Sequence, residues 1–157
     1  MGVVICDNEG CVKVAKCSIS HGRFDPTAAE AMAAVHALRF CMELGVQNIC
    51  MKGDAKSVVD ALNSRKENWS RFGHLVVDTK NLFNHFTWHI NFVGRNTNFA
   101  SHNIAKLEAE MGIEREWLGE IPGCISEIIR REQSVISYLL INTDMFDLLK
   151  EKKYFNP

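Results

Sequence analysis

Three side chains that lie far apart in the chain have the chemistry of a binding or catalytic site: the carboxylates of Glu30 and Asp54 and the imidazole of His102. Glu30 belongs to an alanine-rich segment with helical periodicity, beside small residues that let a helix approach a sheet. Asp54 comes where a strand pattern gives way to a helical one. Because strand ends and helix N-termini converge at one edge of an open α/β sheet, these side chains predict a ligand site there.

Each of the three side chains also has a purely structural explanation. Thr27 and Glu30 have the spacing of a capping box, and Asp25-Pro26 alone would also begin a helix. Asp54 is a good N-cap for the helix that follows it. A lone histidine beside an apolar helix stripe is most often a surface residue or a hydrogen-bonded one. On the residues alone, both interpretations stay open.

The elements that must position these side chains follow from the apolar periodicity. In chain order, the patterns predict a hairpin over residues 3–17, a helix over 26–44, a strand over 46–51, a helix after 54, a helical face over 72–86, a strand over 88–92 and a helix over 100–111. The predicted inward residues of the first two helices are Ala31, Val35, Leu38 and Met42, then Val58, Val59 and Leu62. This order of strands and helices predicts an α/β fold.

The totals limit the class of protein. A chain of 157 residues is expected to form one domain. The net charge of −1 gives no overall basic field, so any nucleic-acid site has to be local. The six cysteines have no metal-finger spacing and are interpreted as reduced core residues. Without a secretion signal or a long apolar run, we expect an intracellular protein, nuclear or cytoplasmic, with no membrane partner.

Four segments together carry a resemblance to a known family. They are GVVICDNEG at 2–10, AEAMA at 29–33, GDAKSVV at 53–59 and RNTNFASHNIA at 95–105. The combination resembles the ribonuclease H type 1 superfamily, in particular the retrotransposon-derived, reverse-transcriptase-associated RNase H-like domains of plants. The likeness covers about residues 2 to 132 and predicts an RNase H-like domain over 1–132, followed by a divergent tail over 133–157.

The resemblance implies a mixed five-stranded sheet with helices on both faces and a two-metal nuclease site. Glu30, Asp54 and His102 would be the catalytic and metal-binding residues, holding Mg²⁺ or Mn²⁺, since hard cations prefer oxygen ligands. His102 matches the last acidic position of the family motif and would be the weaker ligand. Arg95, Asn98 and Lys56 would bind nucleic acid, either an RNA–DNA hybrid or a duplex.

One departure from the family pattern bears on activity. The first strand of the family, with its catalytic aspartate, has no counterpart upstream of Gly2, so we expect poor metal occupancy and impaired cleavage of RNA in hybrids. The alternative is a catalytically inactive module that binds nucleic acid or protein. The tail is expected to be helical. As an alternative, residues 138–144 form a strand that ends in Asp144 and takes the vacant place.

Overall fold

The computed structural model describes residues 1–7, 12–19, 25–94, 99–112, 114–119, 123 and 139–141. The strands are β1 (Gly2–Asp7), β2 (Val12–Cys17), β3 (Asn48–Gly53), β4 (Thr87–Phe92), β5 (Arg115–Leu118) and β6 (Leu139–Ile141). The helices are α1 (Pro26–Glu43), α2 (Lys56–Asn63), α3 (Gly73–Phe83) and α4 (Phe99–Met111). The predicted hairpin turn at residues 8–10 lies outside the described residues.

The strands form two hydrogen-bonded groups. One has the order β5-β2-β1-β6, in which β1 and β2 are antiparallel, and the other is the parallel pair β3-β4. β6 pairs in parallel with residues Ile5–Asp7 of β1 and lies beside β3 without hydrogen-bonding to it. The sheet is therefore mixed, as predicted, and β6 lies between its two groups.

The position of β6 corrects the expectation of a helical tail. Leu139–Ile141 is a strand in the place that the sequence leaves vacant, which is the alternative raised above. Three successive apolar residues that include isoleucine are typical of a strand, and the edge of β1 away from β2 supplies main-chain partners. The other tail residues, Asp144 among them, lie outside the described part of the chain.

Helices cover both faces of the sheet, as predicted. On one face, Ile5 and Val14 pack into a core with α1, α2 and α3. On the other face, Val4 and Cys6 pack with Ala100 and Ile104 of α4, all of them less than a tenth exposed. After Ile5 the pairing of β1 with β2 shifts by one residue, because β2 has one extra residue there, a β-bulge. The shift pairs Val12 with Cys6 on one face of the sheet, while Val14 pairs with Ile5 on the other, so both faces stay apolar.

The boundaries of α1 follow from local chemistry. Asp25 caps the helix and accepts hydrogen bonds from the N–H groups of Thr27 and Ala28, both at 3.0 Å, with Pro26 in the first turn. Leu44 is the C-cap, and Gly45 follows with a φ of 71°. The explanation of Thr27 and Glu30 as a capping box is therefore wrong, because the helix begins before Thr27.

Most of the predicted inward residues are buried. Ala31, Val35 and Leu38 are at most 2% exposed, whereas Met42 is 41% exposed because the last turn of α1 packs through Cys41 instead. The inward residues of α2, which are Val58, Val59 and Leu62, are confirmed. The strand predicted over 46–51 is observed as Asn48–Gly53, and β5 was not predicted.

Among the described residues, no helix is both long enough and apolar enough to cross a membrane.

Candidate functional site at the end of strand β3

Asp54 follows β3 directly, at the edge where the strand meets α2. Its side chain is 3% exposed. The N-cap of α2 is Ala55, which makes no side-chain capping bond, so the capping explanation of Asp54 is wrong. A buried carboxylate has to be stabilised by hydrogen bonds or by charge, and this requirement makes its partners informative.

His102 of α4 contacts this carboxylate. Its Nε2 lies 3.0 Å from Oδ2 of Asp54, across 48 residues of chain. The imidazole is 42% exposed and thus lies between the buried carboxylate and solvent. α4 is brought close by Gly2, where a Cβ atom would lie 2.2 Å from the carbonyl oxygen of Ser101. The glycine at the start of β1 therefore lets α4 place His102 beside Asp54.

Glu30 lines the same cavity as His102. This cavity, of about 290 Å³, lies between β1, β3, α1 and α4, and it is also lined by Gly53 and Ala55 on either side of Asp54. Helix α1 faces the cavity through Ala33 and other small residues, as its alanine-rich sequence predicts. The fold therefore brings His102 into contact with Asp54 and places Glu30 on the same cavity as His102. The catalytic and metal-binding roles of the three side chains stay predictions.

One basic residue of the cavity was missed by the sequence reasoning. Lys52, two residues before Asp54, lines the cavity wall, and burial lowers the pKa of its ammonium group from 10.5. The feature of the sequence that could have indicated Lys52 is its charge, near the end of the mostly apolar strand β3.

The predicted nucleic-acid residues are only partly described. Lys56 begins α2, two residues after Asp54, and its exposed ammonium group lies 2.9 Å from the carboxylate of Asp60. Arg95 and Asn98 lie outside the described residues. Lys56 is thus a cation near Asp54. The nucleic-acid-binding roles of Lys56, Arg95 and Asn98 stay predictions.

The donor set fits a hard cation only in part. The carboxylates of Glu30 and Asp54 supply the oxygen ligands that Mg²⁺ prefers, whereas an imidazole is a less suitable ligand for it. Within the described ranges, no group of three or more His, Cys, Asp or Glu side chains could hold a metal ion. The metal-binding roles of Glu30, Asp54 and His102 therefore stay predictions.

The mixed sheet, with helices on both of its faces, defines an RNase H-like α/β domain. The crystal structure of RNase H1 from the halophilic archaeon Halobacterium salinarum matches with a TM-score of 0.64 and 24% sequence identity, over 71% of this chain and 85% of that chain. At this identity the likeness concerns the fold. The family model described as reverse transcriptase-like matches residues 1–108, and the chain belongs to that family. The search of curated proteins gave no match.

Proposed function

We propose that this RNase H-like domain binds RNA–DNA hybrids and retains an impaired, Mg²⁺-dependent activity that cleaves their RNA strand. The observation that carries the proposal is the 3.0 Å contact between His102 and the buried carboxylate of Asp54, beside the cavity that Glu30 lines. In a chain of the reverse transcriptase-like family, these are the residues that match the catalytic motif.

In this proposal, the carboxylates of Glu30 and Asp54 hold the metal, which supplies an ionised water and neutralises charge on the leaving oxygen. His102 positions the carboxylate of Asp54 through its hydrogen bond and faces solvent on its other side. Two carboxylates are few for a two-metal site, so weak metal binding limits the rate. This is why we propose impaired and not full activity.

A first prediction concerns binding. If Lys56 and two further cations contact phosphates, log K should fall with log salt with a slope of about −2.7, or roughly 40-fold between 50 and 200 mM salt. Fluorescence anisotropy with a labelled hybrid measures this slope, and Lys56→Gln should make it shallower by about 0.9. The matched control is Arg39→Gln, an exposed cation near the other end of α1, which should leave the slope unchanged. Binding that does not change with salt would contradict the proposal.

A second candidate is a catalytically inactive module that binds nucleic acid away from the Asp54 edge. The observation in its favour is Trp69, which is 89% exposed in the loop between α2 and α3, near the exposed cations Arg65, Lys66 and Arg71. Bases stack on exposed aromatic rings while cations bind the backbone. Under this alternative, Trp69→Ala weakens binding of a single-stranded probe, and Asp54→Asn does not change it.

A further inference from the structure

The two faces of the parallel pair β3-β4 differ in what they contact. One face packs into the core with α1, α2 and α3, through Ile49, Met51 and Ile90. Because successive side chains of a strand point to opposite faces, Cys50 and Lys52 lie on the other face. This second face is on the side of the sheet that carries α4, and α4 itself packs on β1 and β2.

The register of the two strands places polar side chains beside one another on this second face. His89 pairs with Cys50 and Asn91 pairs with Lys52, and paired residues of neighbouring strands point to the same face. In agreement, the side-chain amide of Asn91 lies 3.9 Å from the sulfur of Cys50. His89 and Asn91 are exposed, and Lys52 is half-buried. Lys52, His89 and Asn91 together are called the polar sheet face.

The polar sheet face offers hydrogen-bond donors and a positive charge. The ammonium group of Lys52, the amide of Asn91 and an imidazole N–H of His89 are its donors. The strands β3 and β4 contain no aspartate or glutamate. In the described part of the chain, no carboxylate pairs with Lys52, whose electrostatic neighbour is the thiol of Cys50. Since lysines that leave water are usually paired, this ammonium group is suited to bind an anion from outside the chain.

The polar sheet face continues from the candidate site. Lys52 precedes Asp54 by two residues, and the contact of Asp54 with His102 places its carboxylate on the same side of the sheet, toward α4. From Lys52 the face extends to Asn91 on β4 and then to His89, roughly 6.6 Å away along that strand. A chain of phosphates held at Asp54 would therefore meet the donors of this face next.

We propose that the polar sheet face binds the phosphate backbone of a nucleic acid beside the Asp54 edge. Lys52 binds one phosphate as a point charge, while Asn91 and His89 donate hydrogen bonds to neighbouring phosphate or sugar oxygens. Contacts of this kind position a strand without reading its sequence. The inference rests on the proposed function, because its ligand is the same RNA–DNA hybrid.

The first test is the salt dependence of hybrid binding by the full chain, measured by fluorescence anisotropy. Lys52→Gln removes one phosphate contact and should make the slope of log K against log salt shallower by about 0.9. The loss of affinity between 50 and 200 mM salt then becomes roughly 3.5-fold smaller. Lys52→Arg keeps the charge and should keep the slope. Arg39→Gln, at an exposed cation of α1, is the matched control and should also keep it.

The second test adds negative charge to the exposed part of the face. His89→Glu places a carboxylate where we infer phosphates, and it should weaken hybrid binding at low salt by roughly fivefold, the effect of one exposed charge contact. His74→Glu makes the same change at an exposed position of α3 and is the matched control. Equal affinities of the two variants would contradict a phosphate contact at His89.

NMR titration with the hybrid needs no substitution, so it holds even if a variant misfolds. The side-chain resonances of His89 and Asn91 should shift and saturate at the dissociation constant that anisotropy gives. Those of His74 and Asn81, which are exposed on α3, are internal controls and should not move. Unchanged resonances of His89 and Asn91 at saturating hybrid would overturn the inference.

The remaining outcomes separate this inference from the proposed function. If Lys52→Gln keeps the parent slope while Lys56→Gln makes it shallower, the inference is wrong and the proposed function stands. If the parent chain does not bind the hybrid at all, both are wrong. Equal changes of slope for Lys52→Gln and Lys52→Arg would assign Lys52 a packing role and overturn the inference. Displacement of the hybrid by polyglutamate of equal charge, as effective as by unlabelled hybrid, would assign the face to an acidic protein instead.

Discussion

At the scale of single residues, the pair of Asp54 and His102 is the feature that best separates a functional from a structural explanation. A carboxylate that caps a helix is bound by main-chain N–H groups near it in sequence, as Asp25 is. Asp54 contacts a side chain 48 residues away, at 3.0 Å. This long-range contact joins the carboxylate to His102, which lines the cavity.

The contact has a measurable effect on stability. His102→Ala removes one hydrogen bond to a buried carboxylate, and we expect the free energy of unfolding to fall by about 1 kcal/mol. Urea unfolding at constant pH measures the change. His74→Ala, at an exposed position of α3, is the control and should have no effect beyond experimental error. Equal effects of the two variants would mean that the contact does not stabilise the fold.

A different histidine makes stability depend on pH. Burial lowers the pKa of His36 from 6.5, and the cations of Arg39, Met1 and Lys16 add to the effect, while Glu114 opposes it. Since the folded pKa is below the unfolded value, the unfolded chain binds more protons, so stability falls as the pH drops below 6.5.

His36→Gln should therefore lose less stability than the parent chain when thermal unfolding at pH 7.5 and pH 5.5 is compared. The expected sign is a smaller difference in melting temperature for the variant. A larger acid sensitivity of the variant would show that His36 gains, and does not lose, favourable interactions on protonation.

At the scale of the elements, the site depends on how closely α4 approaches β1. Gly2→Ala would place a Cβ atom 2.2 Å from the carbonyl oxygen of Ser101 and 2.7 Å from the N atom of Ala105, both of them backbone atoms. One element has to shift, at a cost of about 1 to 3 kcal/mol. Gly94→Ala, with no atom within 4 Å of the added Cβ, is the matched control.

The measurement is urea unfolding of both glycine variants together with the hydrogen exchange of the α4 amides. We expect a lower unfolding midpoint and faster exchange in α4 for Gly2→Ala alone. Equal stability of the two variants would contradict the close packing of α4 on β1.

The elements also explain what could be predicted from the sequence. The three inward residues of α2 and the end of α1 at Leu44 follow from local patterns, and both were predicted. β5 was missed because its four residues carry two charges and no alternation, and it is specified by pairing with β2. β6 was only an alternative because its partner, the open edge of β1, is a feature of the tertiary structure.

The candidate site was predictable to a similar extent. Glu30, Asp54 and His102 were found because each matches a motif with a fixed local spacing. The hydrogen bond between the last two and the position of Lys52 on the cavity wall were not predicted, because they depend on how β3 and α4 approach each other. Motif spacing identifies residues, and tertiary packing decides which of them meet.

At the scale of the whole molecule, the chain is an RNase H-like α/β domain in which Asp54 and His102 meet where β3 ends. The domain boundary between residues 132 and 133 stays a prediction, although β6, from beyond it, pairs within the sheet. Among the described residues the acidic side chains do not gather into a three-residue metal cluster. The proposed consequence is binding of hybrids with little cleavage.

The most direct measurement is Mg²⁺-dependent cleavage of a labelled RNA–DNA hybrid by the chain and by a version extended at its N-terminus with a strand ending in Asp-Gly. We predict little or no cleavage by the chain itself, recovery in the extended version, and its loss on Glu30→Gln or Asp54→Asn, because the added carboxylate completes the metal ligands. Robust cleavage by the unextended chain that is lost on Asp144→Asn would contradict this, since the tail would then supply the missing carboxylate. Cleavage that survives Glu30→Gln would instead indicate a contaminating nuclease.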